Sequence, residues 1–345
     1  MLSYILRRLL LLPLILFGVT FLIFSVYSLL SPLERLATYV NNPNALKSAA
    51  ASERLIKKYH LDDPYPVGYF RWVGKLLKFN LGWSKVANEP VATAIAEKFP
   101  ATLELVLYSI IPVVLIGIWL GVVSAVHHND PIDQSLRIVA VIGWSLPTFI
   151  FGLLVLFFFY GVLGWLPPGR LSVWAQNIVY TNPSFHRYTG LITVDALLNG
   201  YGYVFLDALR HLVAPIITLS YVSWAYLLRI ARSSMLETLR KDYIRTARAK
   251  GVDEKTVIYK HAERNALIPV VTVAGMMIVQ MLGGVVITET IFNFPGLGQW
   301  AATAAQQLDY ASILGFSLLF AFIMVIGNLV VDVSYALIDP RVRLE

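Results

Sequence analysis

The sequence predicts an all-α polytopic membrane protein with six transmembrane helices. Three observations point there. Charged residues make up 14% of the 345-residue chain and hydrophobic ones 57%, against roughly 25% charged in an ordinary soluble domain. So little charge cannot cover the surface of a soluble core this large. Several apolar runs exceed the ~18 residues that mark a membrane helix. They are continuous rather than alternating, which excludes a β-barrel. Finally, a basic, helix-prone stretch, Arg229 to Pro269, sits between two of these runs and carries ten of the 28 Lys and Arg residues.

The net charge of +7 would suggest nucleic-acid binding in a soluble protein. Here the basic residues cluster beside apolar runs, so they read as cytoplasmic retention signals, and no nucleic-acid partner is expected. The chain has no cysteine, which excludes disulfides, thiolate metal sites and cysteine nucleophiles.

The elements follow in order. Arg7 and Arg8 precede an apolar run from Leu9 to about Leu30. It is longer than a signal-peptide core and lacks a small-x-small cleavage site. Residues 1–31 therefore read as a cytoplasmic N-terminus and a retained first span. Residues 32–100 form an external loop. In it, Leu55, Ile56 and Tyr59 share one face of a short amphipathic helix. Trp72, Leu76 and Phe79 have the spacing of a helix lying along the membrane surface. Residues 101–345 form a five-span core. The second span, 101–126, opens at Pro100 and Thr102. The third, 136–163, is interrupted at Gly143-Trp-Ser-Leu-Pro147. A second external loop, rich in Tyr and Asn, leads to the fourth span, 207–230, which contains Pro215. The fifth span runs over 267–291 and the sixth over 311–336. Both termini are then cytoplasmic, and the external 292–310 segment has no Lys or Arg.

Catalytic signatures are missing. There is no G-x-x-x-x-G-K-[ST] loop to cradle a nucleotide, and no H-E-x-x-H or G-x-S-x-G. His127-His128 reads as a solvated turn. Glu104, Glu289 and Asp332 lie towards span ends and read as helix-pairing carboxylates. Gly117, Gly121 and Gly315 read as close helix contacts. Ser145, Pro147, Pro215, Gly283 and Gly284 are candidate hinge or pathway residues, because Gly and Pro interrupt spans where a cavity or neighbouring helices satisfy the freed backbone.

The basic stretch reads as two short helices joined at Gly251. The first covers Asp242 to Lys250. The second is capped by Asp253 and ends near Pro269. Such a loop either anchors orientation by charge or presents a docking helix.

The residues of this loop, RSSMLETLRKDYIRTARAKGVDEKTVIYKHAERNALIPVVT, are recognisable. So are YILRRLL, LDDPYPVGYFRW, FPATLEL, GWLPPGR, HLVAPIITL, ETIFNFPGLG and VDVSYALIDPRVRL. Together they resemble membrane subunits of bacterial ABC importers of the dipeptide/oligopeptide/nickel permease family. The resemblance implies a type I importer transmembrane domain in the bacterial inner membrane. It also implies a second homologous permease subunit, two ATPase subunits that bind ATP and magnesium, and an extracytoplasmic substrate-binding protein. The chain itself would hold no cofactor or metal and catalyse nothing. The cargo would be peptides, with oligosaccharides or nickel complexes as alternatives. An ATP-independent secondary transporter or channel is the rival from another class, and the scarcity of buried charge argues against it.

The 231–266 loop would be the coupling region, of general form Glu-Ala-Ala, three residues, Gly. Here Arg245-Thr246-Ala247 occupies the first three positions and Gly251 the last, so Arg245 stands in place of the glutamate. Asp242, Arg245, Thr246, Ala247, Lys250 and Gly251, with His261, Arg264 and Asn265 on the second helix, are the implied ATPase-coupling residues.

Overall fold

The computed structural model describes residues 2–40, 49–282 and 285–338. Its elements are α1 (Leu2–Ser28), α2 (Pro32–Leu36), α3 (Ala49–Tyr59), α4 (Tyr65–Leu76), a ribbon of β1 (Trp83–Ser84) and β2 (Glu89–Pro90), α5 (Val91–Val126), α6 (Pro131–Ser145), α7 (Thr148–Leu156), α8 (Val173–Thr181), α9 (Ile192–Leu198), α10 (Gly202–Leu239), α11 (Asp242–Ala249), α12 (Glu254–Thr256), α13 (Glu263–Leu282), α14 (Val286–Ile291), α15 (Leu297–Gln306) and α16 (Tyr310–Ile338). A π-helical segment, Phe157–Val162, extends α7. Another, Val257–Ala262, joins α12 to α13.

Among the described residues, five helices are long and apolar enough to cross a membrane: α1, α5, α10, the joined α12–α13 unit and α16. The pair α6 and α7 makes a sixth crossing if taken together, but it bends by 102° between Ser145 and Thr148. The interruption expected in the third span is therefore present, and it divides the span into two half-helices. Leu146 is extended and Pro147 opens the second half, as proline favours at a helix start.

The core is built on α10, which packs along α5 and also touches α6, α7, α9 and α13. Its 38 residues span about 57 Å at 1.5 Å per residue, well beyond the ~30 Å hydrocarbon layer. The approach of α5 is close because Gly117 and Gly121 lack side chains. A Cβ on Gly121 would lie 2.5 Å from that of Ala231, and one on Gly117 would lie 2.9 Å from that of Leu227.

Four boundaries differ from the sequence expectations. The second span begins ten residues earlier, so 91–100 belong to α5 rather than to the external loop, and Pro100 lies inside the helix. Val91 and Ala94 are fully buried beside Trp300, Leu297 and Ala311, and this packing outweighs the cost of an internal proline. The fourth span continues through Ile230 to Leu239, carrying Arg232 on a helix rather than in a loop. The second basic helix does not stop at Pro269. It continues to Leu282 because Ala266 and Val270 are buried on either side of the proline. The fifth span, expected to reach Ile291, is not one helix: Val285 is non-helical and α14 starts at Val286. Gly283 and Gly284 lie outside the described residues, as does the side chain of Asp332.

α4, the helix expected along the membrane surface, packs Tyr69 and Trp72 against Phe24 and Tyr27 of α1. Phe79 is beyond the helix in a left-handed conformation and exposed.

Buried carboxylates tie the end of the bundle farthest from α11. Glu104 is 1% exposed and accepts two bonds from Arg170, at 2.7 and 3.1 Å, and two from Thr193, both at 2.7 Å. Glu289 accepts from Thr102 Oγ1 at 2.6 Å and from the Gln299 amide at 2.9 Å. Asp309 accepts from Ser84 and Ser312. These side chains join α5, α8, α9, α14 and α15 regions by satisfied polar contacts, the helix-pairing role read for Glu104 and Glu289.

Glu104→Ala would leave the Arg170 guanidinium buried without its carboxylate. Breaking one side of such a pair costs about 3–5 kcal/mol. Thermal unfolding of the detergent-solubilised chain should therefore shift down by several degrees, and an unchanged midpoint would show the pair to be dispensable.

Candidate functional site

The Arg229–Pro269 stretch folds into three pieces. The first continues α10 to Leu239. The second is α11. The third, α12 with its π-helical extension, runs without interruption into α13. Gly251 joins the second and third pieces with φ at +77°, a left-handed conformation that costs other residues roughly 1–2 kcal/mol. Asp253 then caps α12, accepting from the Thr256 amide at 2.9 Å. The hydrogen bond holds the Asp253 carboxyl below its ordinary pKa, because it stabilises the charged form.

One face of α11 is buried through Ile244, which is 0% exposed. It sits among Val122 and Ala125 of α5, Met235 of α10, and Val257, Ile258, Ala262 and Ala266 of the third piece. Ala247 and Val252 pack at the edge of this cluster. The other face is free: Asp242, Tyr243, Arg245, Thr246, Arg248 and Lys250 are exposed.

Polar contacts fix the frame around the cluster. Arg248 forms a two-pronged pair with Glu254 at 2.6 and 3.0 Å, closing the Gly251 turn. Ser234 Oγ donates to the Ala266 carbonyl at 2.7 Å, linking α10 to α13. Arg232 donates two bonds of 2.7 Å to the buried Asp133 of α6, which also accepts from Ser124 of α5 at 2.5 Å and the Asn129 amide at 3.0 Å. Four helices thus meet at one end, with a short amphipathic helix displayed on their buried junction. Such an arrangement can receive a push from outside and pass it to membrane-crossing helices.

Residues 117–344 match the family described as the binding-protein-dependent transport system inner membrane component. The chain belongs to this family. It is 43% identical over 296 residues to a probable D,D-dipeptide transport system permease protein of Escherichia coli, covering 86% of this chain and 85% of that one. It is 40% identical over 346 residues to a di/tripeptide transport system permease protein of Pseudomonas aeruginosa, covering 99% of each. An oligopeptide transport system permease protein of Bacillus subtilis is 37% identical over 344 residues, covering 99% of this chain and 100% of that one. The chain is thus a multi-pass inner-membrane permease subunit with a type I ABC importer transmembrane fold.

In the permease the residues implied for coupling fall into two groups. Asp242, Arg245 and Thr246 lie together on the free face of α11. Arg245 is 3.5 Å from Asp242, and Thr246 Oγ1 donates to the Asp242 carbonyl. Lys250 and Gly251 end that helix, and Ala247 turns towards the buried cluster. His261, Arg264 and Asn265 lie further along the third piece. Asn265 donates to the His261 carbonyl at 2.9 Å, and Arg264 borders a shallow groove with Lys255, Tyr259 and Lys260. Ser145 and Pro147 flank the 102° break, and Pro215 is buried inside α10.

Sequence reasoning missed Ile244, the Arg248–Glu254 pair and the Asp133–Arg232 knot. The groove was detectable, since Lys255 and Tyr259, and Lys260 and Arg264, form two pairs each four residues apart. Arg248 and Glu254 were not, because their meeting depends on the turn direction at Gly251.

Ile244→Ala removes the sole buried side chain of α11. A buried Ile→Ala change costs about 2–5 kcal/mol, here confined to a small element. Amide hydrogen exchange in α11 should accelerate at least tenfold while that of α10 stays unchanged. Equal protection in both proteins would show that Ile244 does not hold the helix.

Proposed function

We propose that this permease subunit forms half of a translocation pathway for di- or oligopeptides, and that α11 is the coupling helix through which a separate ATPase drives it. The carrying observation is the pairing of a free polar face on α11 with a buried face clamped to α5, α10 and α13. Peptide cargo is supported by relatives named as D,D-dipeptide, di/tripeptide and oligopeptide permeases. Oligosaccharide or nickel-complex cargo has no comparable support. The family description, a binding-protein-dependent system, favours an importer over an ATP-independent transporter.

The full importer in this reading contains a second homologous permease, two ATPases beneath α11 and its counterpart, and an extracytoplasmic binding protein. Both termini and α11 face the cytoplasm. ATP and magnesium are bound by the ATPases, and this chain binds no cofactor. ATP-driven closure of the ATPases displaces α11. The displacement passes through the Ile244 cluster into α10 and the continuous α12–α13 unit. The two permease subunits then rock between inward-open and outward-open arrangements. Gly251 sets the angle between α11 and the rest, while Asp242, Arg245, Thr246 and Lys250 supply the contact chemistry. His261, Arg264 and Asn265 extend that contact along the adjoining helix. Ser145, Pro147, Pro215, Gly283 and Gly284 are the proposed hinge and pathway positions.

Charge reversal by Arg245→Glu with Lys250→Glu leaves the buried cluster untouched. In the reconstituted importer it should cut peptide uptake at least tenfold and reduce ATPase stimulation by the loaded binding protein, with normal membrane insertion. Native stimulation and uptake would contradict the docking role. Because the chain has no cysteine, Lys250→Cys provides a clean topology probe. An impermeant maleimide should label it only after the cells are opened, and labelling on intact cells would reverse the orientation.

A further inference from the structure

At the Ser28 end of α1, the helices α1 to α4 enclose a cavity of about 200 Å³. It lies outside the 117–344 segment matched by the family. Arg35 and Lys75 line it, and neither has an acidic partner among the described residues. Asp63 is the carboxylate in the lining, and it is already hydrogen-bonded to Arg71. The neighbouring segment 41–48, NNPNALKS, contains no acid that could serve instead. The Nε of Arg35 is shut off from solvent with no hydrogen-bond partner, an exception that calls for a physical cause. Lys75 Nζ lies 4.2 Å from the centre of the Tyr39 ring, which stacks on Tyr59 at 5.1 Å. Burial, and then the nearby Arg71 charge, push the Lys75 amine below its ordinary pKa.

Two cations held together in a half-enclosed space without a counter-charge leave an electrostatic cost that a bound anion would remove. The position narrows the anion. Ser28, in the lining, ends a helix whose Leu22 and Val26 are 65% and 66% exposed at a spacing of four, on one apolar face, and Leu29, 85% exposed, follows directly. Tyr and Trp walls suit the membrane–water boundary. The cavity has room for a phosphodiester but not for acyl chains, which the apolar face of α1 can accommodate. We propose that this cavity binds the phosphate group of an anionic phospholipid, with Arg35 and Lys75 as its counter-charges. The assignment does not depend on which side of the membrane the cavity occupies, nor on the cargo.

Native mass spectrometry of the full-length chain, purified and exchanged into mixed phosphatidylglycerol–phosphatidylcholine micelles, tests this directly. The native chain should retain phosphatidylglycerol preferentially. Arg35→Gln with Lys75→Gln should lower that retention roughly tenfold, given the contribution of each basic residue to anionic-lipid binding. Lys57→Gln, at an exposed lysine of α3, should leave retention unchanged. Lys75→Arg in an Arg35-containing chain should retain lipid near the native level, which separates loss of charge from loss of fold. Equal retention of the two lipids by the native chain would overturn the proposal, as would unchanged retention in the double variant. Displacement of phosphatidylglycerol by millimolar inorganic phosphate would assign the site to a free anion and overturn the lipid assignment.

Discussion

Ile244 is the contact on which the placement of α11 in this permease depends. It is the sole buried side chain of an eight-residue helix whose remaining surface is largely polar. A helix that short has no stability of its own in water. It persists because Ile244 completes an apolar cluster drawn from α5, α10 and the α12–α13 unit. Its position is therefore defined by three membrane-crossing helices together. Gly251 and the Arg248–Glu254 pair set its direction, and the Asp133–Arg232 knot fastens α6 to the same end.

The opposite end is held by different means. Glu104, Glu289 and Asp309 are buried, and each accepts several hydrogen bonds from neighbouring elements. Polar networks of this kind have discrete geometries and tolerate little sliding. Between the two ends, Gly117 and Gly121 bring α5 against α10. A displacement entering at α11 thus meets a stiff pair of helices about 55 Å long rather than a chain of independent loops. The α6–α7 pair, by contrast, is broken by a 102° bend.

Much of this was legible in the sequence, and the failures share a cause. Long apolar runs and the glycine-hinged basic loop identified the class, the number of crossings and α11. The misplaced boundaries at Pro100 and Pro269 arose from treating proline as a helix end. Local propensity was overridden there by Val91, Ala266 and Val270, whose burial involves residues distant in sequence. Trp72 showed helical spacing, but the identity of its partner, Phe24 on α1, could not be read from spacing. Arg245, Thr246 and Gly251 were located by motif. Ile244 was passed over because an isolated isoleucine in a basic run carries no signal until its neighbours are known.

The central claim is that α11 moves as one body with the ends of α5 and α10. The cysteine-free chain allows paired spin labels at Thr246→Cys on α11 and Trp119→Cys, an exposed position on α5. Electron–electron resonance in the assembled importer should give one narrow distance distribution, unchanged between the nucleotide-free and ATP-bound states. A shift of several ångströms, or a second population appearing with ATP, would show that α11 swings independently and contradict the rigid link through Ile244.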